Sequence, residues 1–130
     1  MFEKYIERLI NCPRIYWSKE SLERLPKSNG VYVFVKNDKF LYVGQSRNIY
    51  DRVYKHHWTG NNSNLLDNLK CLLSRTGQDD IFESYIAECY IQFVELEVGR
   101  AELEDYILDT IDPILNNFGF KIRKLDEYID

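Results

Sequence analysis

No apolar run in the 130-residue chain approaches the roughly 18 residues of a membrane-spanning helix, so no helical span is indicated and no membrane partner is expected. The opening segment MFEKYIERLINC is too amphipathic and too acidic for a signal peptide. The three cysteines, Cys12, Cys71 and Cys89, form no CxxC pair, and no histidine cluster stands beside them. They read as reduced, packed thiols of a cytoplasmic protein and argue against a disulfide framework or a structural zinc site. Internal repeats, low-complexity segments and linkers are all lacking, so a single domain is expected over residues 1–130, long enough to bury its own core.

A basic balance is also missing, since the formal net charge is −4. Taken alone, that argues against a polyanionic partner. The distribution argues the other way: residues 1–58 sum to +5, whereas residues 79–112 hold eleven acidic groups against the single Arg100. Such asymmetry can steer a polyanion toward one face. An ordinary acidic helix surface explains it equally well.

What the chain does contain is centred on Gly30 to Arg52, GVYVFVKNDKFLYVGQSRNIYDR. Valines alternate with aromatic residues from position 31 to 35, and Phe40 to Val43 form a return strand. Asn37-Asp38 supplies the turn chemistry, and Gly44 is expected to let the backbone bend toward a helix running from Asn48 to Trp58. Before this hairpin, residues 2–11 fit an amphipathic helix ended by Cys12-Pro13, and a short helix is expected between Ser18 and Pro26. After it, Leu65, Leu66, Leu69, Leu72 and Leu73 mark a helix capped by Ser63 or Asn62. Ile81 to Tyr85 reads as a short helix or loop, Ala87 to Val94 as a third strand, and Glu97 to Ile111 as the last helix. A single longer helix through 81–97 is the competing reading, and residues 118–130 have no clear pattern. The fold class expected is α+β, with a small three-stranded, mainly antiparallel sheet flanked by helices.

Two helical faces carry chemistry. On a helix of about 3.6 residues per turn, Glu104 falls in the middle of the apolar stripe of Leu103, Ile107, Leu108 and Ile111. A carboxylate there must be paired, protonated or metal-bound. A salt bridge to Arg100 or Arg52 and a functional role both satisfy that need. On the helix after the hairpin, the same period stacks Asn48, Arg52 and His56 in one polar row, suited to a phosphate. His57 falls among apolar neighbours and reads as a packed or surface histidine.

These residues resemble a known family. Gly30-Val31-Tyr32, nine intervening residues and Tyr42-Val43-Gly44 are similar to the paired signature of the GIY-YIG nucleases. The likeness continues through Asn48-Ile49 and Arg52 and returns at Glu104, Pro113 and Asn116, covering roughly residues 26–117. Residues 1–25 would then be an N-terminal helical extension and 118–130 a short tail. The resemblance implies a metal-dependent endonuclease hydrolysing phosphodiester bonds in DNA, with one Mg²⁺ or Mn²⁺ held by Glu104. It further implies Tyr32 as general base, Arg52 as stabiliser of the transition state, Tyr42 as orienting group, and His56 and Asn116 as members of the catalytic set. Gln45, Arg47, Asn48 and Lys55 would line the substrate. Gln45 departs from the pattern, because some members carry a lysine there, although Arg47 is near enough to substitute. DNA is the expected partner, with RNA not excluded, and target choice would come from a homodimer or a partner protein. A nucleic-acid-binding or regulatory module with the same fold and absent or dormant cleavage is the alternative.

One consequence can be read from the pleat. A regular two-residue turn at Asn37-Asp38 would send Tyr32 and Tyr42 to opposite faces, because side chains alternate along a strand. For both rings to line one site, a three-residue loop over Asn37 to Lys39 or an equivalent bulge is required.

Overall fold

A computed structural model of the chain describes residues 2–61 and 63–116, so the unpatterned stretch 118–130 lies outside the described residues. The chain forms α1 (Glu3–Asn11), β1 (Ile15–Tyr16), α2 (Lys19–Leu22), β2 (Gly30–Lys36) and β3 (Lys39–Ser46). A π-helix (Asp51–Trp58), α3 (Asn64–Arg75), a 3₁₀ turn (Asp79–Ile81), α4 (Phe82–Ala87), β4 (Tyr90–Glu95) and α5 (Arg100–Thr110) follow. The sheet is antiparallel with strand order β1-β4-β2-β3. It therefore has four strands where three were expected. The extra one, β1, pairs Ile15 with Ile91 and Tyr16 with Tyr90. Two residues cannot display an alternation, and this strand exists only because β4 offers it an edge.

Helix ends follow the sequence signals. α1 stops at Cys12, which is extended (ψ 137°) ahead of Pro13. Ser18 caps α2 by accepting the Ser21 N–H at 3.3 Å, and Ser63 caps α3 by accepting the Leu66 N–H at 3.2 Å. The competing long helix through 81–97 is not formed, because α4 ends at Ala87 and β4 begins three residues later.

β2 is the central strand and is buried along its whole length. Val31, Val33 and Val35 face one side with Val43, Tyr90 and Val94, under Leu9 of α1 and Leu103 and Ile107 of α5. Tyr32 and Phe34 face the other side with Tyr42 and Ile91, under Leu22, Ile49, Val53 and the leucines of α3. A strand sandwiched between two helical layers reads as a near-continuous apolar run, and GVYVFV does so.

Gly30 has a packing reason for lacking a side chain. A Cβ there would fall on the carbonyl oxygen of Val94 and 2.7 Å from Cδ1 of Ile49. Because one obstacle is backbone, the clash cannot be relieved by a rotamer change. Gly30→Ala is expected to destabilise the fold by about 1–3 kcal/mol. In urea unfolding this would lower the midpoint at an unchanged m-value.

Candidate active site

Tyr32 and Tyr42 project from the same face of the hairpin, with ring centroids 6.4 Å apart. The ladder shows how. Asn37 and Asp38 form a two-residue turn at φ 51° and 62°, the left-handed pair that suits a tight hairpin. Lys36 then pairs with Lys39 and Val35 with Phe40, but Phe34 pairs with Tyr42, so Leu41 is an extra residue on β3. The expected bulge is therefore present, and the three-residue loop is not. Beyond it Tyr32 stands opposite Gly44. A Cβ at Gly44 would fall on Cζ and Oη of Tyr32. Gly44 lies inside β3, so it does not bend the chain toward the helix as expected; it clears the space across which the Tyr32 ring lies.

Asn48 opens the helix, accepting the Asp51 N–H on Oδ1 at 3.0 Å. From Asp51 the backbone is π-helical for eight residues. Bonds in such a helix run from i to i+5, so Arg52 and His57 stand one turn apart. Arg52 hydrogen-bonds the hydroxyls of Tyr32 and Tyr42. His57 is fully buried, and its Nε2 lies 2.7 Å from the Tyr32 hydroxyl and its Nδ1 2.8 Å from Oγ of Ser63. The ring also packs edge-on against both tyrosines, at 5.6 and 5.4 Å. His56, which an α-period would stack on Arg52, is half-buried with its Nδ1 3.3 Å from the Asn61 carbonyl.

β3 is an edge strand, and its open side is closed by the end of the described chain. The Leu41 carbonyl accepts the Leu115 N–H at 2.9 Å. The Asn116 side chain then behaves as a strand residue. Its Oδ1 accepts the Val43 N–H at 2.9 Å and its Nδ2 donates to the Val43 carbonyl at 2.8 Å. One pleat further on, the Gln45 N–H donates to the Glu104 carboxylate. This row of edge bonds hides backbone groups that would otherwise invite another strand.

Burial dominates the electrostatics. Both Tyr32 and Tyr42 are pushed above the ordinary tyrosine value by desolvation, and the Arg52 charge opposes this without overcoming it. Glu104 adds to the upward shift of both phenols, which puts its carboxylate within electrostatic range of them. The Glu104 carboxyl is itself raised, first by burial and then by Asp105. Of the two arginines proposed to pair with it, Arg100 donates instead to Gln45 Oε1 at 2.6 Å and Asn29 Oδ1 at 3.2 Å. His57 is pushed down to about 3 by burial, with the charges of Arg52 and His56 adding to the effect. At neutral pH the site therefore holds two phenols and a neutral imidazole beside one guanidinium and one carboxyl group.

The model of the GIY-YIG catalytic domain matches residues 28–117. The chain belongs to the GIY-YIG family. Both signature tyrosines, both signature glycines and Glu104 lie within the match. No curated protein sequence matches the chain. Among solved structures it is similar to the GIY-YIG N-terminal endonuclease domain of UvrC from Thermotoga maritima bound to magnesium as its catalytic divalent cation. The identity is 16%, the TM-score 0.49, and the alignment covers 75% of this chain and 93% of that one. A tyrosine-to-phenylalanine mutant of that domain, also with its catalytic cation, gives 17% identity and a TM-score of 0.49 over 75% and 92% of the two chains.

Within this GIY-YIG framework the tertiary structure brings together Tyr32, Tyr42, Arg52 and Glu104, while Asn116 abuts the same strand. The residues expected to line the substrate have other engagements. Gln45 Oε1 accepts from Arg100 Nε at 2.6 Å, Asn48 caps the helix, and Lys55 pairs with Asp51 at 3.3 Å. Arg47 is exposed. His57 and Ser63 enter the cluster although sequence reasoning left both out of it. An α-helical period groups His57 with Ile49 and Val53, which pack in the same buried cluster as Tyr32, but only the fold shows which side chain that face meets.

The His57 shift has a stability consequence. Its folded pKa of about 3 lies below the roughly 6.5 of an unfolded histidine, so the unfolded chain binds the proton first. The contribution is complete above about pH 6.5 and is lost as pH falls toward 3. His57→Gln is expected to flatten the acid side of the stability curve by up to about 1.4 kcal/mol per pH unit below that value. Urea midpoints of both proteins between pH 7 and pH 4 check this, and parallel curves would contradict it.

Proposed function

We propose that this GIY-YIG protein is a metal-dependent endonuclease that hydrolyses phosphodiester bonds in DNA, with residues 1–25 an N-terminal extension whose strand β1 joins the sheet of the nuclease domain. The observation that carries the reading is the convergence of Tyr32, Tyr42, Arg52 and Glu104. They come from β2, β3, the π-helix and α5 and meet at the end of the hairpin away from its turn.

Phosphodiester hydrolysis needs an activated water, neutralised phosphoryl charge and a stabilised leaving oxygen. Arg52 supplies fixed positive charge, already aimed by its bonds to the two phenols, where a pentavalent phosphorus would gather negative charge. Tyr42 orients the water or phosphate, and Tyr32 receives the proton of the attacking water. Because burial holds Tyr32 in its phenol form, it must give up its own proton as it takes another.

The donor set fits a hard divalent cation. Glu104 offers a half-buried carboxylate whose one described hydrogen bond comes from the Gln45 N–H. No group of three or more His, Cys, Asp or Glu among the described residues could form a protein cage. One carboxylate with water and phosphate oxygens completing the shell is a normal way to hold Mg²⁺ or Mn²⁺. Such an ion would contribute Lewis-acid stabilisation of the phosphate and the leaving oxygen.

Purified protein with Mg²⁺ or Mn²⁺ is expected to nick plasmid or branched DNA, and EDTA to stop it. Glu104→Ala should abolish cleavage, and Arg52→Ala should reduce kcat by roughly 100-fold or more with folding retained. Undiminished cleavage by Glu104→Ala would overturn the assignment. DNA binding in EDTA, without cleavage of any substrate in Mn²⁺, would favour a binding or regulatory module instead.

A further inference from the structure

Tyr32, His57 and Ser63 form a buried chain of three polar side chains behind the substrate-facing groups. The hydroxyl of Tyr32 lies 2.7 Å from Nε2 of His57, and Nδ1 of His57 lies 2.8 Å from Oγ of Ser63. Ser63 Oγ in turn accepts the Leu66 N–H at 3.2 Å. No buried side-chain nitrogen or oxygen among the described residues is left without a partner.

Proton roles in this chain follow from its donors. Arg52 can only donate, so toward it the Tyr32 oxygen is an acceptor. The phenolic proton must then go to an acceptor, and His57 Nε2 is one at short range. With the phenolic proton directed to it, Nε2 is unprotonated, and Nδ1 carries the hydrogen of the neutral ring and donates it to Ser63 Oγ. Ser63 Oγ can accept both this bond and that from Leu66, which suits it to hold the ring in this tautomer.

We infer that His57 is the acceptor of the Tyr32 proton during catalysis, and that Ser63 holds it in the tautomer able to do so. The inference rests on the nuclease reading and adds two positioning residues to it. In the step, the water oxygen bonds to phosphorus as the bond to the leaving oxygen breaks. The water proton passes to the Tyr32 oxygen, and the Tyr32 hydroxyl proton passes to His57 Nε2. The imidazolium formed donates from Nε2 to Tyr32 and from Nδ1 to Ser63. It returns its proton through Tyr32 after product release, and the leaving oxygen is protonated by solvent.

Surrounding charge makes the relay depend on substrate. The titratable and charged groups facing His57 are Tyr32 on β2, Tyr42 on β3, and Arg52 and His56 on its own helix; Glu104 on α5 reaches it through the two phenols. Arg52 and burial keep the resting ring neutral, and the same two effects disfavour its imidazolium while no substrate is bound. A phosphodiester held against Arg52 offsets the guanidinium charge that opposes protonation, so the acceptor strengthens when substrate is in place.

The test compares wild type, His57→Gln and Glu104→Ala in Mn²⁺ on one cleaved DNA substrate, beside ¹⁵N NMR of the histidines in metal-free protein. A glutamine can accept from Tyr32 and donate to Ser63 but cannot take a proton. His57→Gln is expected to bind the DNA as wild type does and to lose roughly 100-fold in kcat at unchanged KM. The imidazole nitrogen shifts should report a neutral His57 protonated at Nδ1, and Ser63→Ala should allow the other tautomer. Wild-type kcat in His57→Gln, with Glu104→Ala inactive, overturns the relay and leaves the nuclease reading standing. An Nε2-protonated His57 overturns the relay whatever the cleavage result. Failure of the wild type to cut any substrate overturns the nuclease reading and the relay with it.

Discussion

Two phenol rings from neighbouring strands must lie side by side on one face of a hairpin, and most of the molecule follows from that requirement. Strand alternation forbids it in a regular two-residue hairpin, so β3 carries an extra residue at Leu41. The ring of Tyr32 needs the space above the opposite strand, so that position is Gly44. The entry to β2 must let the Val94 carbonyl and Ile49 approach closely, so it is Gly30. The two signature glycines therefore answer to close approach of other atoms rather than to turn geometry. Among the described glycines, those at positive φ are Gly60, Gly77 and Gly99.

A second constraint is the open edge of β3. A central strand can be satisfied on both sides by the sheet, but β3 has outward backbone groups at Leu41, Val43 and Gln45. Leu115, Asn116 and Glu104 meet them in order. The same bonds that quiet the edge thus carry Glu104 to the tyrosines and fix the position of α5. The price of gathering these groups away from water is that their ionised forms are disfavoured. Neutral phenols and a neutral imidazole are the result, and their hydrogen bonds are stronger for the low dielectric around them.

Much of this was legible in the chain. The hairpin, the Ser18 and Ser63 caps, the leucine stripe of α3 and the existence of the strand after α4 all repeat a local period or obey a local terminal rule. So does Glu104, whose placement on an apolar stripe marks it as a carboxylate needing a reason. β1 was not legible, because its two residues borrow their structure from β4. The helix after the hairpin was placed in the right stretch and given the wrong period. A helix drawn at about 3.6 residues per turn sets His56 beside Arg52; the π-helix actually formed brings His57 to Tyr32. The local pattern does separate the two histidines by face, and the burial of His57 agrees with it, but no local signal says which face meets the tyrosines.

By itself the sequence determined the α+β class, the hairpin with its tyrosines and glycines, and the helical faces that carry Arg52 and Glu104; that these two belong to one set came from the family resemblance. Local rules suffice for these, because alternation, capping and helical stripes act within a few residues. The tertiary structure alone decided which histidine meets Tyr32, what Asn116 does, and why the glycines are glycines. Those outcomes depend on contacts between residues far apart in the chain, such as Val43 with Asn116 and Tyr32 with His57. The ionisation states of the phenols and the imidazole belong there too, because burial from several elements sets them and no single segment carries that information.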